Sequence, residues 1–482
     1  MLPKTYAAEQ YPPRGTGLIT AQEPNVTRQI AEFALKTAFE DIPEPVMELG
    51  KKSILDGVGL AIFGSTEKTA HILEAYFSDC ASPNGVTVIG RKERLKPRFA
   101  AFTNGVAMHV SDYDDTQLAV KKDRVYGLLT HPTTPVLPAV LALGETNKST
   151  GKQALTAYHV GVEVECKIAE AISPRHYEDG FHTTGTCGVF GSVTAAGRIR
   201  GFSVEQLTQS MGIAASQGAG LRENFGTMMK PFHAGHSAEV GVLSTDLAAA
   251  GWTGADHILE APRGFFKAFG GAYDETMLVP HLGKPWTFAN PGVSIKPFPS
   301  GSLTHPAMGE FLHLIQENDI KPQDVTQIEV GTNKQIPNAI IYHQPTNSLQ
   351  AKFSMEFCIA ILLLERKAGL AQFKDEVVNR PDVKATIAKI KFGVDPIAEA
   401  AGYDKMTSII KIHLKNGKSV EGRADFAKGG PGNPMSYAEV GEKFMGCCDA
   451  AKFPAEKGKK IIAAVERLES FSDIREFTAL CV

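Results

Sequence analysis

The chain carries no strong charge of either sign: 50 basic and 53 acidic residues leave a formal net charge of −3 over 482 residues. That balance gives no reason to expect nucleic acid or a membrane surface as partner. Any cationic site must therefore be local. The seven cysteines are scattered, without a CxxC pair or a zinc-ligand spacing, and Cys447-Cys448 is too cramped for an ordinary cluster site. Neither a disulfide framework nor structural zinc is indicated. This usage fits a reducing compartment, with cytoplasm as the default location. No segment reaches the roughly 18 uninterrupted apolar residues of a membrane span. Residues 1–25 lack the apolar core of a signal peptide and mix Glu9 and Glu23 with Lys4 and Arg14, which gives little support to a transit peptide. Internal repeats and low-complexity tracts are missing too. So are the nucleotide fingerprints: there is no GxGxxG after a strand, no P-loop and no nucleophile elbow.

What is present is a large globular chain, 43% hydrophobic and 21% charged. Its length exceeds one hydrophobic core and predicts two domains. From about Val26 to Ala272 apolar residues recur at three and four, as in "VTRQIAEFALKTAF" and "GKQALTAYHVGVEVECKIAEAI", which is a helical period. Ser203 and Gln206 have the spacing of a capping box at a helix start. The many Gly and Ala positions suit closely packed helices. Near Pro291 the texture changes to β-branched alternation in "DVTQIEVGT", "IAKIKFGVD" and "SIIKIHLKNGKSVEGRADF", the last split by Asn416-Gly417 as in a type I′ hairpin. A helical segment, "SMEFCIAILLLERKAG", lies between the first two runs, and helical pattern returns after "KGGPGNPMS". The predicted fold is mostly α: a large all-helical domain built from both chain ends (1–290 and 433–482) with a smaller α+β domain (291–432) inserted.

Five stretches carry chemistry-bearing residues. "HVSDYDDTQLAV" crowds Asp112, Asp114 and Asp115 into four positions, although like charges raise one another's pKa and weaken a helix. If the preceding helix continues, Asp112, Asp115 and Thr116 share one face and Asp114 points elsewhere. Read alone, the cluster is a solvated helix end or a seat for a hard cation. "THPTTPVLPAVLAL" places His131 at a helix entrance, and "GFHTTGTCGVFGSVTAAG" surrounds His182 with glycines and hydroxyls that let backbone N–H groups approach an anion. "GAGLRENFGTMMKPFHAGHSAEVG" gathers Arg222, Lys230, His233 and His236 in a glycine-rich stretch where Pro231 is expected to stop any helix from running through the basic group. Its HxxH spacing lacks a third ligand, so no metal is expected. "VSIKPFPSGSLTHPAM" sets Lys296 and His305 around a turn at the expected domain boundary, where small-molecule clefts tend to form. Acids, imidazoles and lysines in loops between helices, with no nucleotide fingerprint, point to proton transfer without an organic cofactor.

At "SDYDDT", "THPTTPVLPA", "LRENFGTMMKPFHAG", "IKPFPSGSLTHPAM" and "GNPMSYAEVGEKF" the sequence resembles the MmgE/PrpD family, which includes 2-methylcitrate dehydratase, cis-aconitate decarboxylase and iminodisuccinate epimerase. The resemblance runs from "SILDGVGLAIFG" to the final helix. It implies a helical domain with an α+β lid, commonly dimeric, acting on di- and tricarboxylates, so a homodimer with a small polycarboxylate substrate is expected. Carried over residue by residue, the family's cleft corresponds to Asp112, Thr116, His131, His182, Lys230 and Lys296. His131 and His182 are then the acid/base pair, with Asp112 and Lys230 also in the catalytic set. Thr116, Arg222, Lys296 and His233 are expected to bind substrate, and the cations to stabilise charge that develops beside a carboxylate. The implied activity is a hydro-lyase on a 2-methylcitrate-like or citrate-like acid, with an amino- or iminodicarboxylate epimerase as the alternative, ahead of a decarboxylase or a non-catalytic binding protein. One departure bears on this: in the decarboxylase branch a histidine stands five residues after the lysine matching Lys296, and here that position is Gly301. "LAVKKDRVYGLL" is also longer than in that branch and adds Lys121, Lys122 and Arg124, as a substrate clamp or a solvated loop.

Overall fold

The computed structural model describes residues 25–118 and 128–482. Lys121, Lys122 and Arg124 lie outside the described residues, as does the N-terminal stretch read for targeting signals. The helical period is realised in α1 (Val26–Lys36), α2 (Glu44–Gly64), α3 (Pro97–His109), α4 (Thr133–Asn147), α5 (Gly151–Ala171), α6 (Gly188–Ile199), α7 (Val204–Ala215) and α8 (Met229–Ala249). At the start of α7 the Ser203 hydroxyl accepts from Gln206 N–H while the Gln206 side chain accepts from Ser203 N–H, the capping box that the spacing predicts. One element escapes the periodicity. Strand β1 (Ala81–Thr87) pairs with β2 (Arg94–Leu95), and β1 buries only its last three residues, so it has no alternating pattern to read.

The second part of the chain adds α9 (His305–Glu317), β3 (Val325–Thr332), α10 (Met355–Glu365), β4 (Ile390–Val394), β5 (Ser408–Leu414) and β6 (Ser419–Ala424). The sheet order is β4-β3-β5-β6, with β3 parallel to β4 and antiparallel to β5. The β5–β6 hairpin corrects the expected turn. Of Asn416-Gly417 only Gly417 has positive φ, and Gly417 N–H bonds Leu414 O, so the turn is not type I′, which needs both central residues at positive φ. The chain closes with α11 (Tyr437–Ala451) and α12 (Ala455–Glu466).

Two main apolar cores result, and the chain is mostly α with small sheets. One joins α1 through α8 with α11 and α12, drawing on Val26 to Ile295 and then Val440 to Cys481. The other gathers α9, α10 and the four-stranded sheet, and takes in Phe225 from the helical part. No helix among the described residues is long and apolar enough to cross a membrane.

One helix contact sets up the site. A Cβ on Gly105 of α3 would stand 2.9 Å from Gly235 Cα of α8, and one on Gly235 would stand 2.6 Å from Phe102 O. Only glycine permits that approach. It brings the C-terminus of α3 against the N-terminus of α8, so that His109 meets Lys230. The expectation that Pro231 ends a helix is corrected here: α8 begins at Met229, and Pro231 lies in its first turn, where a missing N–H costs nothing.

Candidate active site

The three crowded carboxylates do not share a helix face. Helix α3 ends at His109, and Asp112 adopts a left-handed φ of 50°, a conformation that costs a non-glycine residue of order 1 kcal/mol. The chain turns sharply and the acids diverge, each to its own partners. Asp112 Oδ1 accepts from Lys230 Nζ at 2.6 Å and faces Lys296 Nζ at 3.3 Å, while Lys296 also donates to Asp112 O at 2.9 Å. Asp114, expected to point elsewhere, takes His109 Nδ1 at 2.8 Å and His131 Nδ1 at 3.0 Å on one oxygen. Asp115 turns inward and accepts from the Thr133 hydroxyl at 2.6 Å. Crowding is tolerated because no two of these acids depend on the same cation.

The electrostatics follow from burial and pairing. Burial alone raises the Asp112 pKa, but the Lys230 and Lys296 ammonium groups outweigh it and hold Asp112 well below the usual carboxylate range. Asp114 is likewise held low by its two imidazoles against the effect of burial. His109 is pushed down to about 3 by burial, against the pull of Asp114. Burial, reinforced by Lys230 and Lys296 or by neighbouring histidines, also lowers His131 and His182. The imidazoles are therefore neutral at neutral pH and able to take a proton. Lys230 is lowered by burial, with Asp112 opposing. Its ammonium also donates to His109 Nε2 at 2.8 Å and lies 5.3 Å over the Phe225 ring.

These groups surround a cavity of about 30 Å³ at the seam of the two cores. Asp112, His131, His182, Lys230 and Lys296 all line it. The other three sequence-predicted residues stand one layer back. Thr116 bonds Ser302 Oγ at 3.1 Å and lies 3.3 Å from His131 Nδ1, so it braces the wall. His233 Nδ1 lies 3.0 Å from His182 Nδ1 and orients that ring. Arg222 is stacked 3.8 Å from the Tyr177 ring centroid and donates to Tyr177 O and Asn338 O. It positions Tyr177, which lines the cavity, and does not face the cavity itself. Sequence reading missed His109, the two-histidine grip of Asp114, and Lys352, whose buried amine donates to Val110 O and is pushed down to about 8 by burial. His109 opens the acidic stretch, yet only the left-handed turn at Asp112 reveals that Asp114 folds back onto it.

The hard-cation reading of the acidic cluster does not fit this donor set. His109, Asp112, Asp114 and His131 do offer atoms within 4.8 Å of one another. Those atoms are already engaged: both ring nitrogens of His109 are bonded and two ammonium groups rest on Asp112 Oδ1. A cation would have to expel both lysines. Dialysis against EDTA is therefore expected to leave turnover unchanged, and loss of turnover restored by a divalent cation would contradict this.

Asp115 supplies a stability test. Burial, with Asp114 and Asp56 nearby, pushes its carboxyl up to about 7, against hydrogen bonds from Thr133 and Ser53. The folded state then holds a proton that the unfolded chain releases near pH 4. Stability from this group is full below pH 4 and is lost as pH rises through 7. Asp115→Asn is expected to gain melting temperature relative to the parent as pH is raised from 5 to 8. A parent–variant difference that does not change with pH would refute the assignment.

A mostly helical chain with a small sheet and a buried seam of imidazoles, lysines and carboxylates defines the class of protein. The chain belongs to the MmgE/PrpD family: the MmgE/PrpD N-terminal domain matches residues 28–277 and the MmgE/PrpD C-terminal domain matches residues 298–470. It is similar to cis-aconitate decarboxylase of Homo sapiens, with 28% identity over 452 residues covering 91% of each chain. The Mus musculus cis-aconitate decarboxylase is 29% identical over 472 residues, covering 95% of this chain and 93% of the relative. More distant is 2-methylcitrate dehydratase of Escherichia coli O157:H7, 25% identical over 347 residues, covering 67% of this chain and 68% of the relative.

Proposed function

We propose that this chain is a lyase of di- or tricarboxylates that works by proton transfer beside a carboxylate, with water as the leaving group. One observation carries the reading: Lys230 and Lys296 converge on Asp112 within a seam that two neutral histidines also line. The relatives named above as a decarboxylase and a dehydratase support the lyase class. Gly301, where the decarboxylase branch is expected to carry a histidine, favours dehydration over decarboxylation.

The chemistry follows from the geometry. Asp114 and the Asp115 carbonyl are acceptors only, so His131 Nδ1 carries the hydrogen, and in the neutral ring Nε2 is a bare lone pair. That makes His131 the base. Removal of a C–H proton leaves an electron pair that forms the double bond as the C–O bond breaks. Negative charge builds on the adjacent carboxylate meanwhile, where Lys230 and Lys296 are fixed in advance. The departing hydroxide takes a proton from the histidine pair and leaves as water. His182 Nε2 is buried and has no partner among the described residues, which suits the second proton-transfer role. His182→Ala is expected to lower kcat by about 100-fold, the lower end for a general acid or base, with KM within a few-fold.

A second reading rests on the two rings. His131 and His182 centroids lie 6.3 Å apart at 68° on separate parts of the wall, an arrangement that allows removal of a proton from one face and return on the other. Proton NMR of a panel of hydroxy-, amino- and unsaturated di- and tricarboxylates in deuterated water separates the two. Elimination gives new vinylic signals, epimerisation exchanges the α-hydrogen without them, and neither signal on any acid would refute both.

A further inference from the structure

We propose that the acid transformed here is a hydroxydicarboxylate with a small alkyl branch: carboxylates toward Lys230 and Lys296, hydroxyl on Asp112, alkyl group against Ile340 and Phe353. This rests on the lyase reading and narrows its substrate class. Three independent features of the cavity wall carry it.

The charges come first. Among the described residues the wall presents two ammonium groups, Lys230 and Lys296, and one carboxylate, Asp112. One layer back, Lys352 and Arg222 add two further cations and Asp114 a second carboxylate. The wall itself thus carries one surplus positive charge and the two layers together carry two, since burial keeps His131 and His182 neutral. A dicarboxylate is matched by those two charges, and passing its proton to His131 leaves the net charge of the site unchanged. A third carboxylate would be buried without a counter-charge, which is strongly unfavourable.

The second feature is an unanswered acceptor. Asp112 is 3% exposed and lines the cavity, yet its Oδ2 has no hydrogen-bond partner among the described residues, because both lysines rest on Oδ1. A buried carboxylate oxygen needs a donor. A substrate hydroxyl supplies one, and a purely unsaturated acid has none to give beside its ionised carboxylates.

The third is an apolar stretch of the wall, next to the Lys230 ammonium. The Phe225 and Phe353 rings stack at 5.4 Å, and Ile340 and Leu129 complete the surface. Gly301 matters because of what replaces its missing side chain: a Cβ there would lie 2.9 Å from Ile340 Cδ1 and 3.5 Å from Phe353 Cδ1. The space beside position 301 is filled by an isoleucine methyl, so this part of the wall offers dispersion contact.

In the proposed turnover of 2-methylmalate, His131 Nε2 takes a C3 proton and the C2–O bond breaks. The products are a methyl-substituted unsaturated dicarboxylate and water, and no co-reactant is consumed. The test compares kcat/KM, by proton NMR, for 2-methylmalate, malate, citrate, 2-methylcitrate and 3-methylaspartate. The methyl group is expected to raise kcat/KM over malate by about 10-fold or more, the range for one methyl in an apolar pocket. Citrate and 2-methylcitrate are expected at least roughly 100-fold below 2-methylmalate, and 3-methylaspartate below it too, because a buried charged carboxylate or amine is left uncompensated. Water elimination from citrate or 2-methylcitrate as fast as from 2-methylmalate would overturn the substrate class and leave the lyase reading standing. No elimination or exchange with any of the five overturns both. Ile340→Ala is expected to bring the methylmalate-to-malate ratio toward 1, and Ile340→Val to keep it. An unchanged ratio in a folded Ile340→Ala would overturn the assignment of the apolar wall.

Discussion

His131→Ala is expected to lower kcat by about 10³- to 10⁴-fold while KM moves only a few-fold, the upper range for a positioned general base. The reason lies in its hydrogen bonds. His131 Nδ1 is 3.0 Å from Asp114 Oδ2 and 2.9 Å from Asp115 O, and neither can donate, so the tautomer is fixed with Nε2 free. Asp114 also stabilises the imidazolium when the proton arrives, as the buried aspartate does in serine hydrolases. A companion variant separates this from a packing effect. In Asp114→Asn an amide replaces an oxygen that accepts from two rings, and its NH₂ must be turned toward one of them or away from both. A drop in kcat of about 10²- to 10³-fold is expected with near-parental KM, and nitrogen-15 NMR should show a histidine that has moved its proton from Nδ1 to Nε2. Near-parental kcat in a folded Asp114→Asn would remove the aspartate from the mechanism, and near-parental kcat in His131→Ala would remove the base.

The helices and the sheet were legible because their apolar periods are long and uninterrupted, as in α5 and β3, and because Ser203 and Gln206 mark a start in the sequence itself. The β1–β2 pair was not, since β1 buries a block of three residues at one end and shows no alternation. Site residues divided along similar lines. Asp112, His131, His182, Lys230 and Lys296 stand in the stretches singled out by residue type and were selected together by the family resemblance, and the structure brings those five onto one cavity. Spacing alone misread their surroundings. The shared face of Asp112, Asp115 and Thr116 held only if α3 continued through the acidic run, whereas the left-handed turn at Asp112 sends three neighbouring carboxylates to three different partners. Spacing also took positive charge as a sign of ligand contact, whereas the Arg222 guanidinium is spent on the Tyr177 ring and two backbone carbonyls. Neither a turn's handedness nor a cation's partner is encoded by residue type.

Lys230→Ala is expected to have the broadest effect, lowering kcat/KM by about 10³-fold with both a lower kcat and a higher KM, since the lysine faces substrate in ground and transition states alike. It should also cost stability. Breaking a buried ion pair from one side costs roughly 3–5 kcal/mol, and here Lys296 remains beside Asp112 Oδ1 at 3.3 Å, so the lower end or less applies. The two losses can be told apart by removing the carboxylate as well. In Lys230→Met/Asp112→Asn the carboxylate that Lys230 met is neutral as well and the wall keeps the parent's net charge, so part of the lost melting temperature should return through non-additivity of neighbouring sites. Activity should not return, because the amide holds Lys296 less firmly and the Lys230 ammonium that meets the developing charge is gone. If the double variant instead regained kcat together with its melting temperature, Lys230 would be a structural counter-ion only. The charge that develops beside the substrate carboxylate would then have to be met by Lys296 alone.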